Sequence, residues 1–293
     1  MAYSRGYSRR RRYSRRRPTS KKSIKTRRSP RYRRRVKRVT NRRIANVSSE
    51  KKSDSRVFFS NIAAPANPPI FAAPILLGGN TYSLIHMPTA MDKSSTVAQD
   101  IGNYRDRSDV YMRGYQETLR MTSNSGAAWN WRRVVFCVKG PSIYSTVTAS
   151  NALYLEAATN GWVRTWVNHT GTTVGQAAVS LLFKGSVNID WVDPFTASID
   201  STKVDLVYDK YSVLRSGNDD NSIHNRKMWH PFNKKFIYDD EENGATESER
   251  LFHIPSKPGM GDVYIIDFFQ CSDNAPANTL QLDGTGRLYW HEK

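Results

Sequence analysis

The sequence predicts an all-β body, a sandwich or jelly roll of about eight strands, with a disordered basic arm at its N-terminus. Three observations predict it. Residues 1–43 hold 21 Lys and Arg and no acidic residue, the first being Glu50. Beyond them, short runs of β-branched and aromatic residues are separated by Gly, Pro, Asn, Asp and Ser clusters. Helical periodicity is scarce throughout.

The arm comes first. The chain has 45 basic and 26 acidic residues; with 21 of the bases before Ile44, the remainder has 24 against 26. A net charge of +19 is therefore a body of net −2 carrying a cationic arm. Like charges at that density repel, and too few apolar side chains are present to offset the entropy of ordering. Composition divides the chain into an arm over 1–50, with linker character through VSSEKKSDS, and a body over 51–293. No apolar stretch of signal-peptide kind follows the basic start. Pro18 and Pro30 argue against the amphipathic helix of a transit peptide or a membrane surface segment.

A polyanion is the expected partner. The candidate nucleic-acid-binding cations are Arg5, Arg9, Arg10, Arg11, Arg12, Arg15, Arg16, Arg17, Lys21, Lys22, Lys25, Arg27, Arg28, Arg31, Arg33, Arg34, Arg35, Lys37, Arg38, Arg42 and Arg43. Tyr3, Tyr7, Tyr13 and Tyr32 lie among them. Guanidinium groups neutralise phosphates while rings stack on unpaired bases of any identity, so a single strand bound without sequence preference is expected. KKSIKTRR and RYRRRVKR also fit nuclear-import signals, which makes import receptors a second expected partner. Phosphorylation of the Ser-Arg pairs would weaken phosphate binding.

In the body, strands are expected in RVFFSNI, YMRGYQETLRMT, WNWRRVVFCVK, VSLLF, KVDLVYDKYSVL, KKFIYDD, VYIIDFFQ and RLYWHE. YMRGYQETLRMT puts Tyr115, Leu119 and Met121 on one face, with Glu117 as the exception. VYIIDFF is apolar on both faces apart from Asp267, as a central buried strand would be. VAQDIGNYRD and VDPFTASID are candidates for short helices. No run of 18 apolar residues predicts a membrane span.

No catalytic constellation emerges. Cys137 and Cys271 lie in apolar runs and read as buried structural thiols. The six histidines are scattered, without metal-ligand spacing, so neither a metal nor a cofactor is expected. DDEENG lacks the alternate-position spacing of a calcium loop; a solvated loop, a cation site and a contact with a neighbouring subunit all remain open for residues 239–249. GMGDVY and GTGRLY lead into strands and read as turns, not nucleotide loops. Asn46 and Asn168 match glycosylation acceptors that carry no weight without a signal peptide. A non-enzyme is predicted.

The segments NRRIANVSSEKK, YMRGYQETLRMT with WNWRRVVF, and IDWVDPFTASIDSTKVDLVYDK jointly resemble the coat proteins of genomoviruses, the gemycircularvirus group. RSGN, WHPFNKKFIYDDEENG and SKPGMGDVYIIDFF continue the likeness, which runs from about residue 41 to 270. Geminivirus coat proteins are similar more distantly, though no Cys/His zinc-finger pattern is present here. ILLGGNTYSLIHMPTAMDKSST and GTTVGQAAV carry no recognised likeness. The resemblance implies an eight-stranded viral jelly-roll shell domain, an icosahedral homo-oligomer, a packaged circular single-stranded DNA, and residence in the virion and the host nucleus. The alternative from another class is a cellular nucleic-acid-binding protein with a basic tail; against it stands the body's net −2. A replication endonuclease would need a His-hydrophobe-His pair, which the six histidines do not form.

Overall fold

The computed structural model of the chain describes residues 40–93, 103–217, 220–256 and 258–293. Over these the chain is all-β, with two α-helices, α1 (Asn41–Ser48) and α2 (Thr173–Leu182). The strands are β1 (Glu50–Arg56), β2 (Phe58–Ser60), β3 (Ile75–Leu77), β4 (Thr81–His86), β5 (Asp109–Ser123), β6 (Trp129–Val138) and β7 (Leu155–Ala157). They continue with β8 (Gly161–Trp166), β9 (Asp205–Leu214), β10 (Ser222–Ile237), β11 (Glu241–Asn243), β12 (Thr246–Ser248), β13 (Asp262–Cys271) and β14 (Thr279–Glu292). Two large antiparallel sheets dominate: a first in the order β1-β14-β5-β10, with β3 on the end of β14, and a second in the order β4-β13-β6-β9. A small sheet, β2-β8-β7, contains the parallel pair β2–β8.

Burial explains the two sheets' different sequence patterns. In β5 buried and exposed residues alternate, so the first sheet has one face on the core and one in water. β13 is buried along nearly its whole length, as VYIIDFF predicts for a central strand. The inner face of β13 meets the first sheet. Its outer face is covered by α2 and the chain after it, where Phe183 and Phe195 pack on Phe268 with ring centroids at 5.8 and 6.5 Å. Arg132 ties the same cover down, donating to the carbonyls of Pro194 and Ala197 at 2.7 and 2.8 Å while forking onto Asp209.

The two polar exceptions within the apolar patterns find each other. Glu117 of β5 and Asp267 of β13 face one another across the sandwich and are joined by Arg133 of β6 and Arg164 of β8. Arg133 forks onto Asp267, with Nε to Oδ1 at 2.7 Å and Nη2 to Oδ2 at 2.8 Å, and its third nitrogen reaches Glu117. Arg164 donates to Glu117 Oε1 at 2.9 Å and Asp267 Oδ2 at 3.0 Å, and its guanidinium lies 3.8 Å over the Trp166 ring. Trp131 Nε1 completes the set at 2.8 Å from Asp267 Oδ1. Burial alone would raise the pKa of Glu117, but the Arg133 and Arg164 charges outweigh it and hold the carboxyl below its ordinary range. Two cations thus balance two anions in a site sealed from water.

Several elements depart from the sequence reading. The linker VSSEKKSDS contains β1, whose inward residues Lys52, Asp54 and Arg56 are charged yet buried; a strand with ions on its core face carries no hydrophobic signature. VSLLF is the end of α2, not a strand. Val174, Ala178 and Leu182 recur at helical spacing along its buried side, and Thr172 caps it by accepting from the Gly175 N–H at 3.1 Å. RVFFSNI yields only β2, three residues in the small sheet. KKFIYDD is the tail of the much longer β10, which tolerates Pro231 because it is an edge strand and shifts register between Pro231 and Lys234. VDPFTASID makes one turn, with the Thr196 and Ala197 N–H groups donating to the Asp193 carbonyl at 3.1 and 3.0 Å. VAQDIG, the start of the other expected helix, lies outside the described residues. Gly284 and Gly286 of GTGRLY sit inside β14, not in a turn: a Cβ on Gly286 would meet Tyr115 Oη at 2.0 Å.

Both cysteines are buried free thiols, at opposite ends of the β6–β13 ladder, where Cys137 pairs with Val263 and Cys271 with Trp129. Burial pushes the Cys137 thiol up to about 12.

Two outcomes follow for stability. Glu117→Gln leaves two buried guanidiniums with one carboxylate and should cost about 3–5 kcal/mol in urea unfolding. Arg120→Gln, which breaks the surface pair with Asp283, should cost no more than about 1 kcal/mol. Burial also lowers the pKa of His169 to about 3 and, with help from Arg133, that of His230 to about 4. Below about pH 6.5 the unfolded chain takes up protons that the folded chain refuses, so stability falls with pH through this window. At pH 5 each histidine should contribute about 2 kcal/mol of that loss. Asp262, raised by burial, works in the opposite sense. The check is therefore the slope difference: His169→Asn should flatten stability between pH 7.5 and 5 relative to the parent chain.

Candidate nucleic-acid interface

The predicted binding residues from Tyr3 to Arg38 lie outside the described residues. Arg42 and Arg43 fall in α1, where the Arg43 side chain is exposed. Thr40 starts this helix, its carbonyl accepting from the Arg43 and Ile44 N–H groups at 2.9 and 3.1 Å. The helix and Glu50 belong to the segment that composition assigned to the arm.

Past the helix, the chain is sewn into the first sheet. β1 pairs with β14 over seven residues, from Glu50 opposite Glu292 to Arg56 opposite Gly286. Lys52 turns inward to Asp106 and to Glu292, the latter at 3.5 Å. Burial would lower its pKa, but the surrounding carboxylates more than compensate and raise it. Arg56 donates from Nε to Asp54 Oδ2 at 2.8 Å.

A cleft of about 1060 Å³ opens between α1 and the first sheet. Its wall is cationic: Arg43 from α1, Arg113 from β5, Lys235 from β10, and Lys293, with Asp109 as the lone carboxylate among the described residues. Asp109 is taken up by Lys235 at 2.5 Å. Tyr111 and His291 supply rings at a centroid distance of 6.3 Å. Burial, followed by the charges of Arg113 and Lys51, lowers the pKa of His291, which keeps it neutral at physiological pH. Asn233 shapes the wall: at φ 52 it accepts from Tyr111 Oη through its carbonyl at 2.8 Å and from Arg113 through its side chain. Such a cleft offers donors and ring faces to an anionic chain, and in it the Ser49 hydroxyl lies 3.4 Å from His291 Nδ1.

Sequence reasoning missed these body residues because they are spread over three strands and disappear in a net charge. Strand alternation was the signal that could have found them, since Tyr111 and Arg113 share the outward face of β5.

The acidic run is held from within the body. Asp240 takes a two-pronged contact from Arg105 at 2.6 and 2.9 Å, and Arg105 lies 3.7 Å over the Tyr238 ring. Those contacts outweigh burial and lower the Asp240 pKa to about 2. Lys93 reaches Glu247, and a hydrogen bond with Asp92 pushes Glu249 up to about 7. This run is therefore a short hairpin, β11–β12, anchored at Asp240 and Glu247, whose residues from Glu241 to Glu247 are exposed to solvent.

No protein-family model matches the chain, and a search of curated proteins finds no relative.

The pairing of β1 defines where protease should stop. Trypsin acting on the unassembled chain should cut up to Arg43, in or before a short helix whose described side chains are exposed, and leave a core whose N-terminus is Ile44. N-terminal sequencing of the core checks this. A core starting at Val57 would contradict the β1–β14 ladder.

Proposed function

We propose that this chain is a coat protein of a small virus with a circular single-stranded DNA genome, similar to the genomovirus coat proteins. It closes into an icosahedral homo-oligomeric shell and holds the genome through its basic arm. The observation that carries the reading is the division of charge, 21 cations without a carboxylate in residues 1–43 against a body of net −2. The resemblance of the body segments points the same way.

Strand order supports the finer fold. Among the eight long strands β1, β4, β5, β6, β9, β10, β13 and β14, one sheet joins the first, eighth, third and sixth, and the other the second, seventh, fourth and fifth. A jelly roll winds its two sheets in this order. Subunits of that kind serve as tiles in closed symmetric assemblies. On the order of sixty copies, the minimum for icosahedral symmetry, would bring roughly 1,300 arm charges and neutralise about a kilobase of single strand. The basic clusters of the arm direct the chain to the host nucleus through import receptors before assembly.

A second reading, a cellular nucleic-acid-binding protein with a basic tail, is favoured by one observation: the body carries a cationic cleft despite its net charge. Particle formation separates the two.

Expressed full-length chain should sediment as a large particle, appear as closed shells by negative-stain microscopy and carry nucleic-acid absorbance. The unassembled chain should bind oligo(dT) with log affinity falling against log salt at about −0.7 per phosphate engaged. Deleting Ala2 to Arg43 should keep the β-type circular dichroism and remove most of the packaged DNA. Sedimentation of the full chain as a monomer under all conditions would refute the coat reading, and a salt slope near −1 would refute the arm's role.

A further inference from the structure

We infer that the solvent face of the first sheet is a second binding surface, a platform on which a single nucleic-acid strand stacks its bases on Trp229 and Tyr289 while Lys227 and Arg287 hold its phosphates. This deepens the reading of the arm and requires no shell.

The face is chemically unusual for a solvated sheet. β-Pairing aligns Trp229 with Gln116 and Arg287 in one row, and Lys227 with Thr118 and Thr285 in the next. Tyr289 lies beside Gly114 in the row on the other side. Trp229 is 46% exposed, whereas Trp129, Trp131, Trp162, Trp166 and Trp290 are at most 4% exposed. Its exposure is built in. Gly114 lets the indole approach β5 closely, because a Cβ there would come within 2.7 Å of Trp229 Cζ2 and 2.5 Å of the His230 carbonyl oxygen. The indole meets Tyr289 edge-on at 5.6 Å, so the two rings are in contact before any ligand arrives. Tyr289 Oη donates to Gln116 Oε1 at 3.3 Å, which fixes the second ring.

Charge on the face has one sign in excess. Among the described residues its outward cations are Lys51, Arg113, Arg120, Lys227, Lys235 and Arg287, against Asp109 and Asp283. The two carboxylates are consumed by Lys235 and Arg120. Arg287 donates to Ser55 Oγ at 2.7 Å and meets no carboxylate among the described residues, nor does Lys227. An exposed indole beside a half-buried phenol, flanked by unneutralised cations, suits a sequence-tolerant single-strand site. The face also continues into the cationic cleft beside α1, sharing Tyr111, Arg113, Lys235 and His291 with it. A second copy of the chain is the competing occupant, but six cations against two carboxylates would repel their own image across a two-fold axis.

The test uses the full chain. Oligo(dT) with photoreactive iodouracil should crosslink to Trp229 or Tyr289, and Trp229→Ala should weaken oligo(dT) binding about tenfold with an unchanged salt slope. Lys227→Ala with Arg287→Ala should make the slope shallower by about 1.4 and serves as the check should Trp229→Ala fold poorly. Duplex DNA, whose bases are already stacked, should lose little on Trp229→Ala. Crosslinks confined to the arm, with both variants binding like the parent chain, would overturn the platform and leave the arm's role standing. No oligo(dT) binding by the parent chain would overturn both. A Trp229→Ala variant with altered sedimentation and unaltered DNA affinity would assign the face to a second copy instead.

Discussion

The fold is organised around the buried contact of Glu117, Asp267, Arg133 and Arg164. Its members come from both large sheets and the small sheet, so it fixes all three relative to one another. Arg133 and Asp267 are direct partners across β6 and β13, and a slip of one residue would send either to the outer face, away from Glu117 and Arg164. Above and below this polar layer the core is apolar. Tyr115, Val135 and Ile265 lie in one cluster, and Leu119, Trp131 and Phe269 in the other. Ion sets of this kind are weak sources of net stability but severe penalties on misalignment. Here the penalty falls on wrong registers of an otherwise forgiving hydrophobic sandwich.

Buried ions also govern what the surface presents. Lys52, Arg56, Arg105, Arg132, Arg133 and Arg164 are buried, as are Asp54, Glu117, Asp200, Asp262, Asp267 and Glu292. Eight of these groups pair with one another, Lys52 with Glu292, Arg56 with Asp54, and Arg133 and Arg164 with Glu117 and Asp267, and so contribute little to the field outside. A formal charge near zero is thus compatible with a strongly cationic sheet face, because the carboxylates that balance it reside elsewhere, many of them along the acidic hairpin.

Much of the architecture was legible in the amino-acid pattern. Tyr115, Leu119 and Met121 face the core, β13 is a buried central strand, and both cysteines are buried thiols. Glu117 and Asp267 stood out as exceptions, but their pairing was not legible, since nothing local marks Arg164 as the residue that completes it. β1 was hidden for a related reason: its core-facing side chains are charged, and periodicity analysis sees only apolar ones. α2 was misread because VSLLF was considered without the helical spacing that precedes it. The strand glycines Gly284 and Gly286 resemble turn residues until their neighbours' close approach is known. The basic arm is an expectation from composition alone, whereas Trp229, Lys227 and Arg287 come together only through strand pairing.

The seven-residue ladder between β1 and β14 has a mechanical consequence. A polyanion drawing on the arm along the β1 axis loads those hydrogen bonds in shear, because they lie perpendicular to the strands and resist together. Tension then passes into β14, an interior strand braced by β5 on its other side. Peeling from a free end would open the bonds singly, in succession, but shear must break the ladder in concert. Traction on the tether is in this way delivered to the middle of the sheet.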